Sequence, residues 1–375
     1  MVAKENTRKI VLVLGNGFDL DLGLKTSYKS FYESDYCPKN HPSPLFRHLN
    51  SLKEDLTNIR WCDLENELLV YAKEGDKSEV ITEEERQYLK RNDDYQLTMN
   101  LRFYGGDPIL KSLAEKEFVT IQGDLLFNVK TPFREDLMLS TIERDKRALK
   151  LIEEGLFKYL ETTQPSSRER DTVAGRVLIS LLNEYDEGNI VDIFSFNYTD
   201  LDLIKNDTSN IQVQHMHGSC KNEHIIVGTR YDKGVGRDYD FLLKTRDDDY
   251  HPPRIIDSIN NADEIIIFGH SFGENDQPYF TDLFNDQLKN NPNHHKDVVI
   301  FTLDQESEQN IKRAIDNMIG GQFMRLSTVN PPTIIKTSNL KGKDGWVFKD
   351  FLVKHGMKSF EAEVVIGKIV NNQTN

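Results

Sequence analysis

Four short segments of the chain bring together the residue types that do chemistry. The first is Gly15-Asn16-Gly17-Phe18-Asp19-Leu20, with glycines at alternate positions followed by a carboxylate. Such a turn lets backbone N–H groups come close to a phosphate, and a helix starting there favours an anion. Leu20 stands where the full dinucleotide fingerprint has its third glycine. Spacing alone therefore leaves two readings: a nucleotide-binding turn, or a strand-to-helix turn with Asp19 as a cap. The second segment is Ser195-Phe196-Asn197-Tyr198-Thr199-Asp200, where the Asn197 amide can face a ligand or serve, with Thr199 and Asp200, as a helix cap.

The third segment is His215-Met216-His217-Gly218-Ser219. On a strand, His215 and His217 share one face. Two histidines are half a zinc site, and neither an HExxH motif nor clustered cysteines supply the rest. A general base or a ligand-binding imidazole fits the pattern better than a metal. The fourth segment, Gly269-His270-Ser271-Phe272-Gly273-Glu274-Asn275-Asp276, contains the GxSxG spacing of a serine-hydrolase nucleophile elbow. Against that reading, the Glu-Asn-Asp-Gln-Pro stretch delays the helix the elbow requires, and no HGGG-type segment precedes it. The histidines that follow, His294, His295 and His355, stand in no triad context.

The elements that must position these segments are visible in the flanking residues. Short runs of branched apolar residues precede three of them: Lys9 to Leu14, Ile190 to Phe194 and Glu264 to Phe268. A fourth run spans Val298 to Leu303, and Ile211-Gln-Val-Gln precedes the histidine pair. Runs apolar on both faces are the mark of a parallel sheet. A helix expected from Gln277 to Leu288 joins two of them into a βαβ unit. In open α/β sheets ligands bind at the carboxyl ends of the strands, which is where the four segments fall. From 42 to 186 strand-like runs are scarce and apolar residues recur at helical spacing, as in Leu149, Ile152, Leu156 and Leu160. The expected organisation is a Rossmann-like α/β domain, mostly parallel, over 1–41 and 187–375, with a helical insertion over 42–186. The stretch 232–249 reads as a polar surface loop.

Composition narrows the function classes. The chain of 375 residues carries 47 Lys and Arg against 61 Asp and Glu, a net charge of −14, which argues against an extensive nucleic-acid surface. No run approaches membrane-spanning length. Three cysteines without CxxC spacing read as free thiols of a reducing compartment, so the expected location is cytoplasmic.

Taken in order, Gly15-Asn-Gly-Phe-Asp-Leu with Gly23-Leu24, Thr26-Ser-Tyr28 and Phe31, then Trp61-Cys-Asp63-Leu-Glu65, Phe196-Asn197-Tyr198-Thr199, His217-Gly218 and Gly269 to Asp276 resemble the AbiH-type abortive phage infection family. That resemblance implies antiphage defence. The order of glycine loop, Asn-Tyr, His-Gly and Gly-x-Ser is also similar to sirtuin-like NAD-consuming domains of bacterial defence systems. By that likeness Gly15 and Gly17 would hold a pyrophosphate, Asn197 would orient the ribose or water, and His217 would act as base. Asn16, Phe18, Asp19, Gly218, Gly269, Ser271 and Asp276 would complete the ligand contacts, with NAD as substrate. The chain departs from the likeness at Asp19, a carboxylate near the expected pyrophosphate unless it turns to a ribose hydroxyl, and at Thr199, which separates Asn-Tyr from Asp200. A phage or host trigger protein and a homo-oligomer are the partners such an effector implies. Two rivals remain at this level: a metal-dependent nuclease or phosphodiesterase built on His215, His217, His270 and Asp276, and a non-catalytic nucleotide sensor. Trp61, Asp63 and Glu65 read most simply as a helix with Trp in the core and its acids in solvent.

Overall fold

The computed structural model describes residues 7–51, 63–104, 107–122, 128–165, 171–202, 211–289 and 295–374. Its chain divides into two compact units, one of 1–27, 159–226 and 249–375, the other of 28–158 and 227–248.

The first unit is built on six parallel strands: β1 (Lys9–Leu14), β2 (Ile190–Ser195), β3 (Val213–His215), β4 (Glu264–Phe268), β5 (Asp297–Thr302) and β6 (Thr333–Lys336). Their order across the sheet is β6-β5-β4-β1-β2-β3. This is the doubly wound Rossmann order, in which the chain first builds outward on one side of β1 and then returns to build on the other. The reversal falls between β1 and β4, whose Leu12 and Ile266 are register partners. Burial explains the apolar runs. Ile10, Leu12 and Leu14 of β1 enter one core layer, while Val11 and Val13 enter the other. Helix α2 (Val173–Asp186), α4 (Lys343–Lys354) and α5 (Ser359–Thr374) supply Val177, Leu181, Phe348, Leu352, Val365 and Ile369 to the first layer. Helix α3 (Gln305–Met318) supplies Ile311 and Ile315 to the second. The starts of α2 and α3 are fixed locally, Thr172 accepting from Gly175 N and Asp304 from Ser307 N.

The second unit is mainly helical. Its core gathers Tyr88, Leu89, Leu97, Leu110, Leu113 and Val129. A capping box starts one of its helices, the Thr82 hydroxyl accepting from Glu85 N while the Glu85 carboxylate accepts from Thr82 N.

Several sequence expectations need adjustment. The helical stretch 42–186 does not stay together, because α2 carries the apolar face that closes the sheet and so groups with it. The segment 232–249 is not simply a polar surface loop: Tyr239, Leu242, Leu243 and Lys244 are buried, and 3-10 turns run over Arg237–Leu242 and Lys244–Arg246. The helix expected from Gln277 to Leu288 breaks at Phe280, with a 3-10 turn over Gln277–Tyr279 and an α-helix over Thr281–Gln287. Strand β6 escaped the sequence reading because only four residues separate two prolines from a turn.

Candidate functional site

At the reversal between β1 and β4, two glycine turns interlock. Gly15 N donates to Phe268 O and Gly17 N to Gly269 O, both at 2.9 Å. A Cβ on Gly15 would lie 2.5 Å from His270 Cα, and one on Gly17 2.6 Å from Gly269 Cα. Gly269 itself has φ +64 and would place a Cβ 2.4 Å from Gly17 Cα. The alternate glycines are thus required by the approach of one turn to the other. Their N–H groups, and that of Phe18, which donates to Gly15 O at 2.9 Å, are engaged within the protein. Phe18 is fully buried and meets Phe268 edge to face at 5.4 Å, so it anchors the short helix α1 (Asn16–Asp21) in the core. Asn16 is exposed and accepts from the Thr26 hydroxyl at 2.7 Å.

Behind this turn lies a buried polar cluster. Asp19 is 1% exposed. Asn197 Nδ2 donates to Asp19 Oδ1 and to Gly15 O, each at 2.9 Å. Thr199 Oγ1 stands 3.1 and 3.0 Å from the two oxygens of Asp19. Both amide hydrogens of Asn197 are therefore taken, and Oδ1 is the remaining acceptor of its amide. Burial pushes the Asp19 carboxyl up to about 7, in spite of the opposing hydrogen bonds from Thr199, Asn197 and Thr26. No cation pairs with it among the described residues. A carboxyl that shares neutral donors and lacks a countercharge can hold or release a proton near neutrality.

Beside it the imidazoles collect around one ring. Phe196, half-buried at the end of β2, has His270 at 4.5 Å and His217 at 5.7 Å, both in edge contact. His270 is fixed at both nitrogens: Nδ1 accepts from Phe272 N at 3.0 Å, and Nε2 stands 3.3 Å from Asp276 Oδ2. That pattern sets the tautomer with the proton on Nε2. His215 Nδ1 is 2.8 Å from Asn197 O. His215 and His217 do not share a strand face as expected, because β3 ends at His215 and the chain bends before Gly218 at φ +80. A Cβ at Gly218 would lie 2.3 Å from His224 O, so this glycine serves a close backbone approach in the 218–225 hairpin.

Ser271 is exposed, and the left-handed residues beside it are Gly269 and Phe272, the latter at φ +54. A nucleophile elbow places the serine itself in that strained position, so the GxSxG spacing builds no elbow here. His215, His217, His270 and Asp276 do not converge as metal ligands among the described residues.

The structure thus brings together Gly15, Gly17, Asp19, Asn197, His217, Gly269, His270 and Asp276, from the ends of β1, β2, β3 and β4. Sequence reasoning missed the part of Thr199 as a second donor to Asp19, and Phe196 as the centre of the imidazole group. Position directly after a buried run was the available signal for both. Trp61 lies outside the described residues. Glu65 does not face solvent as expected: it accepts from buried Lys244 Nζ at 2.8 Å, with Tyr28 OH 3.4 Å away.

Among the described residues no helix is long and apolar enough to cross a membrane. Comparison with curated proteins and with solved structures returns no match. The family described as bacteriophage abortive infection AbiH matches residues 11–294. That stretch contains β1 from Val11 onward, β2 to β4, and every residue of the cluster around Asp19 and Phe196. The chain belongs to the bacteriophage abortive infection AbiH family.

Proposed function

We propose that this abortive infection protein hydrolyses the N-glycosidic bond of NAD or a related nucleotide at the reversal between β1 and β4. Family membership supports the defence role. The observation that carries the reaction is the grouping of a buried, cation-free carboxyl, an amide with one free acceptor and an imidazole at the carboxyl ends of adjacent parallel strands. In the reaction, water adds to the ribose C1′ while the carbon–nitrogen bond breaks. The electron pair leaves with neutral nicotinamide, and the proton lost by water passes to His217. Asn197 Oδ1 accepts a hydrogen bond from the ribose or the water. Because the leaving group departs neutral, holding the ribose and excluding bulk water carry most of the load, and the paired carboxylates of ordinary glycosidases are not needed.

The test is nicotinamide release from NAD by the purified protein and by phage-infected cells expressing it, beside His217→Ala and Asn197→Ala. Release by the wild type, lost in both variants, is the expected result. No release in either setting overturns the proposal. One observation favours a second reading, a nucleotide sensor without turnover: the N–H groups of Gly15 and Gly17, which the likeness to sirtuin-like domains assigns to pyrophosphate, already bond to Phe268 and Gly269. That reading expects nucleotide binding without release, and a defence phenotype that survives His217→Ala.

A further inference from the structure

Helix α5 buries Ala362, Val365 and Ile369 on the core side and leaves Phe360, Val364 and Gly367 on the other. Phe360 is 62% and Val364 57% exposed, and on the adjacent helix α4 Trp346 is 69% exposed. A groove of about 340 Å³ runs between the two helices, lined by Leu340, Gly345, Trp346, Glu363, Ile366 and Gly367. The chain itself gives no reason for Gly367. A Cβ there would meet nothing within 4 Å and its φ is not positive, yet a glycine inside a helix lowers its stability relative to alanine. A mid-helix glycine on an open face fits a close approach by something outside the chain.

The charges say what approaches. Glu361 and Lys368 lie two turns apart on the same flank of α5, about 4.5 Å and about 6 Å to either side of Val364 along the axis. Neither makes an ion pair among the described residues. When two such helices pack antiparallel about a twofold axis at Val364, like flanks face one another. Glu361 of each copy then meets Lys368 of the other, Val364 meets Val364, and Phe360 falls opposite Gly367 and the groove beside Trp346. The face is complementary to itself in charge and in shape, as an isologous interface requires.

We infer that the α4–α5 face is the dimer interface of this chain, with Phe360 of each copy seated against Gly367 and Trp346 of the other. This surface lies beyond the family-matched stretch 11–294 and is independent of the reaction proposed above. The test is sedimentation equilibrium of the full chain at micromolar concentration. The wild type is expected at twice the chain mass. Phe360→Glu and Gly367→Val should each weaken association by at least about tenfold, with the far-ultraviolet circular dichroism of the fold retained. Glu361→Lys should weaken it too, and adding Lys368→Glu should restore it. A monomeric wild type overturns the inference, whatever else it binds. So does a dimer indifferent to Phe360→Glu and Gly367→Val, or a charge reversal that its partner reversal does not rescue.

Discussion

The two ends of the same sheet bury charge in opposite ways. At the carboxyl ends, Asp19 sits among neutral donors and burial carries its carboxyl up to about 7. At the amino ends, Glu264 is equally buried at 1% exposure but is surrounded by basic side chains. Lys354 Nζ lies 2.7 Å from its Oε1, Arg8 pairs with its other oxygen, and His355 Nε2 stands 3.5 Å away. Lys354 also reaches Asp297 at 2.9 Å, and His355 Nδ1 reaches Glu184 at 2.9 Å. Burial alone would raise Glu264, yet His355 and Lys354 outweigh it and hold the carboxyl below its ordinary value. A compensated carboxylate locks the ends of β1, β4 and α4 together. An uncompensated one stays available for chemistry, and it is found where doubly wound sheets bind ligands.

Substitutions can break this contrast. Glu264→Ala should cost most, about 3–5 kcal/mol in urea unfolding, because Arg8 and Lys354 then lose their shared counterion. The native Glu264 contributes stability that is present above pH 4.5 and lost as pH falls through its lowered folded value, so this part of the acid response should vanish in the variant. Next comes Gly15→Ala, which forces the two turns apart and should cost roughly 1–3 kcal/mol by the same measurement. Asp19→Asn should act with the opposite sign at high pH. A raised folded value means that Asp19 favours folding at acid pH and that this benefit is lost as pH rises from 3.8 to about 7. The variant should lack that decline and be more stable than the wild type by about 1 kcal/mol at pH 8. Smallest is Thr199→Val, about 1 kcal/mol, read most sharply as a further rise in the Asp19 titration followed by carboxyl infrared absorption.

The sheet was readable because its strands are buried on both faces. Lys9 to Leu14, Ile190 to Phe194 and Glu264 to Phe268 leave no other home for such runs, and the strands there match within a residue. Strand β6 was too short to stand out. The site was readable as a set of positions, since Gly15, Asn197, His217 and Gly269 all follow strands. Who bonds to whom was not. Two readings were open for the glycine loop, and only the interlock with Gly269, some 250 residues away, shows why the glycines are needed. Lys244 illustrates the other failure: a lysine in a polar stretch is buried because Glu65, far away in sequence, supplies the countercharge.

The central position of β1 has a consequence for synthesis. The strand is made well before its neighbours: Ile190 of β2 follows its register partner Lys9 by 181 residues, and Glu264 of β4 follows Ile10 by 254. At about 5–20 residues per second, its five apolar side chains leave the ribosome some tens of seconds before the second of these strands exists. Both segments of the second unit, 28–158 and 227–248, are made in that interval, and the unit has a core of its own. The nascent chain therefore presents a folded helical body tethered to an unpaired strand, a natural client for a chaperone until β4 arrives.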